Sequence, residues 1–385
     1  MKQEDAFVIL MARNKFSESE RQLFSDLVNS NLDWEYVFEQ ALQEGVVCFL
    51  RHHLRHVGVE SGVPAWAKER ATQIYYQNVR HNCSLSQEAT SVLEVLGEEE
   101  VEAIVLKGIF LSEHIYHNIA LRPVRDLDLL IRKKDLARAD KALTGLGFIA
   151  CPQARSFISD PGSSSINSLM YQRSGGEQVI HLHWHLINST WPLELFVRAI
   201  DMDRIWYNAR ACTIGTCRFL TLAPHHLLIY LSVHALCHYF NKLILLVDIR
   251  EVMDAYQESL DWDLLIAEAD GFLCLPAVYY ALYLTSRLLK KSVSRLEDIA
   301  SILKKSGSGF VLQPTSESMR SYGFCYKAFF LMQDSITCKT GFIYRTLFPS
   351  RYVMAHNFNI SSSEVNFVHY AKRIASQFAC GMPHR

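Results

Sequence analysis

The spacing of hydrophobic positions changes twice along the chain and divides it into three zones. Up to about residue 98 the apolar positions keep a helical period. Trp34, Val37, Phe38, Ala41 and Leu42 recur three and four apart, which predicts an amphipathic helix that Asn31 or Asp33 can cap. A longer helix is predicted from about Ala65 to Leu96, a stretch without Pro or Gly. From about 99 to 220 the period shortens. Val101–Leu106 (VEAIVL) and Asp126–Ile131 (DLDLLI) read as strands, with a short helix fitting Ile109–Tyr116 between them. Asp135–Leu146 is amphipathic, and Gly145 and Gly147 mark its end. Ser168–Gln172 and Glu177–Trp184 flank a hairpin signal at residues 173–176, and Cys217–Leu220 reads as an edge strand. Residues 152–167 read as a surface loop. From about Pro224 the helical period returns through Leu227, Leu228, Leu231, His234, Ala235 and His238. It continues in Asp261–Ala269 and Leu275–Leu289, and a flexible connection follows at 305–317. The expected fold is α+β, mostly helical, with a small mixed sheet at 99–220 between helical units at 1–98 and 221–385.

Composition narrows the function classes. The 385 residues carry a formal net charge of −1, with 49% hydrophobic and 21% charged residues. Such a chain is too apolar to be disordered and lacks the positive excess of a protein that coats nucleic acid. Its most apolar segment, Phe272–Leu284, contains Pro276 and falls short of the ~18 residues a membrane span needs, so it reads as a buried helix. The short apolar stretch Ala6–Ala12 follows Glu4 and Asp5 and makes a poor export signal. Ten cysteines without a CxxC pattern suggest free thiols and a cytoplasmic location.

The chemistry concentrates in Lys107-Gly108 and in Arg122-Pro123-Val124-Arg125-Asp126-Leu127-Asp128. Side chains alternate along a strand, so Asp126 and Asp128 share one face and Leu127 and Leu129 the other. Adjacent carboxylates repel unless a cation lies between them, and Mg²⁺ (or Mn²⁺) suits a few carboxylate oxygens completed by water and phosphate. Lys107-Gly108 lies between a strand and a helix, where a glycine lets backbone N–H groups approach a phosphate. Arg122 and Arg125, just before the carboxylates, are suited to clamping phosphate. The basic run Arg132, Lys133, Lys134 and Arg138 reads as a solvated face.

With these motifs in order, the chain resembles the bacterial uncharacterised nucleotidyltransferase family, a branch of the polymerase-β-like nucleotidyltransferase superfamily. The resemblance runs through IVLKG (104–108), LRPVRDLDLLIRKKDL (121–136), GLGF (145–148) and LHW (182–184). It extends to LSVHALCH (231–238), LVDI (246–249), LDWDLL (260–265), LFPSRY (347–352) and DWEYVFEQALQEGV (33–46). It implies a nucleotidyltransferase core in the central zone, with Lys107 and Gly108 on the triphosphate and Asp126 and Asp128 on the metal ions. A nucleoside triphosphate, with ATP as the expected nucleotide, would give up its nucleotidyl group to an acceptor and release pyrophosphate. The acceptor would be a small molecule, sugar, peptide or protein; membrane and long nucleic acid are not expected. The family's third acidic residue, in a pattern like D/E-L-H-W, falls here on His181. An imidazole can replace it as a base, can favour a softer ion, or can leave a nucleotide- or partner-binding module without turnover. His183 follows in the same motif and is a second candidate for orienting or deprotonating the acceptor.

Other histidines offer further readings. His181, His183 and His185 alternate and would share one strand face, a possible zinc site or a mixed surface. His234 and His238, four apart on a helix, suit a metal or phosphate, or form a hydrogen-bonded core pair that Asp248 can join.

Overall fold

The computed structural model describes residues 2–150, 167–173, 178–187, 194–214, 217–306, 313–333, 335–349, 351, 354, 358, 360 and 363–379. The chain opens with five helices: α1 (Gln3–Met11), α2 (Glu18–Val28), α3 (Trp34–Gln43), α4 (Val47–Val57) and α5 (Ala65–Glu98). The starts of α2 and α3 follow the capping chemistry of the sequence. Ser17 accepts a hydrogen bond from the Glu20 backbone while the Glu20 carboxylate accepts one from the Ser17 backbone. Asp33 accepts from the Tyr36 N–H at 3.1 Å, so Asp33 is the cap of α3. Long α5 buries Ala67, Ala71, Leu85, Ala89, Val92 and Leu96, a stripe along one side. Asn82 interrupts that stripe, fully buried, and its amide donates to the carbonyls of Ile119 (2.6 Å) and Arg122 (2.9 Å). A helix from the first zone thus fixes the path of the chain just ahead of the carboxylates.

The middle of the chain builds one mixed seven-stranded sheet from β1 (Ala103–Val105), β2 (Asp126–Ile131), β3 (Phe148–Ala150), β4 (Ser168–Arg173), β5 (Val179–His183), β6 (Arg210–Ile214) and β7 (Cys217–Thr221), in the order β3-β4-β5-β2-β1-β7-β6. β2 lies near the centre, antiparallel to β1 and parallel to β5. The helix α6 (Leu136–Gly145) follows β2 and packs against α5 and β3. The segment expected to be an edge strand, Cys217–Leu220, is instead internal: β7 runs parallel to β1 on one side and pairs with β6 on the other. β6 takes the edge, with Arg210, Ala211 and Thr213 exposed. Of the expected hairpin turn (173–176), Arg173 ends β4 and residues 174–176 lie outside the described residues, as do residues 152–166 of the expected surface loop (152–167) and residues 307–312 of the expected connection.

Among the described residues a run of helices follows the sheet, the first five being Pro224–Cys237, Leu243–Ala255, Trp262–Gly271, Leu275–Leu289 and Leu296–Lys305. Pro224 occupies the first turn of its helix, where a missing N–H costs nothing, and Asp261 caps the Trp262 helix through the Leu264 N–H. The apolar Leu275–Leu289 helix is buried among its neighbours, and among the described residues no helix is long and apolar enough to cross a membrane. One continuous core runs from Phe7 of α1 through the sheet to Phe342 near the C-terminus. Polar ties cross it as well: the Glu44 carboxylate accepts from the Leu243 N–H at 2.5 Å and from Arg320 at 2.6 and 2.7 Å.

Candidate active site

β1 ends at Val105, and the chain turns sharply at Gly108, whose φ is +61°. A side chain there would be strained by that φ and would put its Cβ 3.0 Å from Val124 Cγ1. The turn leads through Ile109 and Phe110 into a π-helical turn, Leu111–Ile115, close to the helix expected from the sequence. The turn also sets Lys107 over β2. Its ammonium nitrogen stands 2.5 Å from Asp128 Oδ2 and 3.7 Å from Asp126 Oδ1.

Asp126 and Asp128 share the face predicted by strand alternation, but their surroundings differ. The Asp128 side chain is 2% exposed and that of Asp126 is 35% exposed. In the parallel pairing Asp128 lies opposite His181. Asp128 Oδ1 is 3.6 Å from His181 Nδ1 and 3.3 Å from His183 Nε2, and His181 Nε2 reaches Ser168 Oγ on β4 at 3.0 Å. Burial alone would raise the Asp128 pKa. The Lys107 charge and the hydrogen bonds from His181 and His183 outweigh it, so Asp128 is held well below the usual carboxylate range. Burial likewise opposes the Lys107 charge, yet Asp128 and Asp126 keep its pKa above the ordinary value. Burial, with help from His181 and Lys107 and against the pull of Asp128, pushes His183 down to about 4, so it is a neutral imidazole at pH 7. Donor atoms of Asp128, His181 and His183 lie within 4.8 Å of one another, close enough to share an ion.

A wall over this floor comes from the Pro224–Cys237 helix. Tyr230 is buried there, and burial together with the charges of Asp128 and Asp126 raises its pKa well above the usual phenol value. His234 is half-buried and His238, just past the helix end, is exposed; their ring centroids are 4.4 Å apart. Burial and the nearby Lys107 charge lower the pKa of both. The expected hydrogen-bonded core pair is therefore corrected to a pair at the border of the carboxylate site. Asp248 does not join them: it accepts two hydrogen bonds from Arg122, both 2.9 Å, and one from the Tyr116 hydroxyl at 2.8 Å. That pairing also corrects the phosphate-clamp expectation for Arg122, whose guanidinium is turned to a buried carboxylate instead. Arg125 is exposed beside Asp126.

His185 leaves the predicted face because β5 ends at His183. Its Nδ1 meets the Ile187 N–H at 3.2 Å, and it is not among the donors around Asp128. Ser168 and Tyr230 were not anticipated. The first follows from the β4–β5 register, which brings Ser168 opposite His183; the second sits on the same helix side as His234, one turn earlier.

A family model described as an uncharacterised nucleotidyltransferase matches residues 30–290. The chain belongs to this family. The matched span runs from just ahead of α3 to the end of the Leu275–Leu289 helix, and so takes in Lys107, the two aspartates and both histidine pairs. Membership in the uncharacterised nucleotidyltransferase family supports a role in nucleotidyl transfer and a transferase in general. No match to a curated protein or to a solved structure was found.

Proposed function

We propose that this chain is a metal-dependent nucleotidyltransferase on a polymerase-β-like core, acting on a nucleoside triphosphate, with ATP as the expected nucleotide. The observation that carries the reading is the meeting of Lys107 with both Asp126 and Asp128 at the turn after β1. The donor chemistry fits a divalent cation: two carboxylates on one strand face hold a positive group between them, and one of them is half-exposed toward an incoming ligand. Asp126 and Asp128 would hold Mg²⁺ or Mn²⁺, which when bound neutralises phosphate charge and favours departure of pyrophosphate.

The chain's own groups do the rest. Lys107 binds the triphosphate, the Gly108 turn lets the backbone come close to it, and Arg125 reaches it from the rim. The acceptor oxygen bonds to the α-phosphorus, the bond from that phosphorus to the bridging oxygen breaks, and pyrophosphate leaves. The acceptor proton passes to an imidazole. His183, already neutral and hydrogen-bonded to Asp128, orients the acceptor, and His181, more exposed, takes the proton. A small molecule, sugar, peptide or protein hydroxyl would suit this site, and His234 and His238 would border it. Replacing both aspartates, Asp126→Asn with Asp128→Asn, should abolish metal-dependent release of pyrophosphate from a nucleoside triphosphate while circular dichroism shows the fold intact. Undiminished turnover in the double variant rules the reading out.

A second reading rests on a specific observation: the partner of Asp128 across the β2–β5 pair is an imidazole rather than an acid. On that reading the site binds a nucleotide or partner without transferring the nucleotidyl group.

A further inference from the structure

The Pro224–Cys237 helix carries a second pair of histidines at its other end. His225 and His226 occupy its first turn, and Glu268 faces them from the Trp262–Gly271 helix. All three are buried, at 6%, 0% and 4% exposure. Both imidazoles aim Nε2 at the same carboxylate oxygen: His226 is hydrogen-bonded to Glu268 Oε2, and His225 Nε2 stands 3.3 Å from it. The other oxygen, Oε1, accepts from Arg204 at 3.3 Å.

His225 Nε2 makes no hydrogen bond, although it is enclosed by protein. A buried polar atom left unpaired costs about 1–3 kcal/mol, so its aim at a carboxylate that two other groups already hold needs a reason. The three donors lie within 4.8 Å of one another. Zinc–ligand bonds of about 2.0–2.2 Å in a tetrahedron put neighbouring donors roughly 3.3–3.5 Å apart. The gap between His225 and Glu268 already has that length, 3.3 Å.

We propose that His225, His226 and Glu268 form a zinc site, separate from the carboxylate floor, that pins the Pro224–Cys237 helix to the Trp262–Gly271 helix. Two imidazoles and a carboxylate form a three-ligand zinc set, and imidazole nitrogen selects against Mg²⁺. Arg204 on Oε1 orients the carboxylate from outside the ligand set and leaves Oε2 to the metal. His226 and His234 are eight residues apart on this helix, or about 12 Å along its axis. A metal at the first turn would therefore fix the helix whose far end borders Lys107 and the two aspartates.

The test uses the full-length chain carrying Asp128→Asn, His181→Ala and His183→Ala, which silences the donors of the first cluster. It is loaded with ZnCl₂, freed of excess by gel filtration and assayed for bound metal. One zinc per chain should remain. Adding Glu268→Gln, which keeps an acceptor for Arg204, or His225→Ala, which removes no hydrogen bond, should each weaken zinc binding at least ~10-fold. Cobalt loaded in place of zinc should show visible d–d bands without a thiolate charge-transfer band, since the ligands are nitrogen and oxygen. Circular dichroism confirms that each variant is folded. Absence of retained zinc in the silenced chain overturns the proposal, as does zinc held equally well by the Glu268→Gln and His225→Ala variants, or a thiolate band in the cobalt form.

Discussion

Asp128 and His181 face one another across the parallel β2–β5 pair, Oδ1 to Nδ1 at 3.6 Å, at the position that the family resemblance assigns to a third acid. Substitution His181→Asp separates the two readings of the site. A third carboxylate beside Asp126 and Asp128 should tighten Mg²⁺ binding ~10-fold or more by calorimetry, and lower metal-free stability by ~1–3 kcal/mol through repulsion. Pyrophosphate release gained by the variant, where the parent chain has none, identifies the parent as a binding module. Release already present in the parent and lost in the variant identifies His181 as the working base.

Lys107 is the cation that makes two neighbouring carboxylates tolerable in the absence of metal. Replacing it by methionine, Lys107→Met, leaves the buried Asp128 carboxylate without its cation, at a cost of ~3–5 kcal/mol in urea unfolding. Millimolar Mg²⁺ should restore part of that loss in the variant and much less in the parent. Equal response of the two to Mg²⁺ would show that the aspartates do not hold the ion.

Gly108→Ala should cost ~1–2 kcal/mol for the positive φ, with an added steric cost from the 3.0 Å approach to Val124. Combining it with Val124→Ala should relieve only the steric part. Nucleotide affinity in the double variant should stay weakened, because the backbone turn is still strained; a return to parental affinity would locate the role of Gly108 in packing alone.

Acid should unfold this chain early. Burial lowers His53 to about 3, and lowers His52, His183, His225 and His226 to about 4. Below the ordinary histidine pKa of about 6.5 the unfolded chain binds protons that the folded chain refuses, so stability falls as pH drops from about 6.5 toward 4. Each such group contributes up to ~1.4 kcal/mol per pH unit in that window, and above it their contribution is constant. Chemical denaturation at pH 7.5, 6 and 5 should show a loss of several kcal/mol; a flat profile would mean these histidines are charged in the native state.

What could be read from the sequence was local. The alternation of Asp126, Leu127, Asp128 and Leu129 announces both the strand and the carboxylate face, because side-chain direction in a strand depends only on neighbours. The long run without Pro or Gly announces α5, which extends to Glu98. What could not be read was set by distant partners. Arg122 and Asp248 are 126 residues apart, and nothing near either one signals their pairing. His185 continues the alternation on paper, but β5 stops two residues earlier and the chain bends. β6 has no apolar alternation, since as an edge strand it has one neighbour and little to bury. The pair His225 and His226 looks unremarkable until the fold sets Glu268 against it.

Asn82 holds the approach to the aspartates through two main-chain oxygens, those of Ile119 and Arg122. Any residue at position 119 would present the same oxygen, so that position can change its side chain without loosening the tether. Position 82 has no such latitude: aspartate lacks the N–H groups, and glutamine carries its amide one methylene too far. A saturation scan along α5 would accordingly find, beside its buried apolar stripe, an intolerant polar position at Asn82, marking where the geometry of the carboxylate floor is enforced from behind.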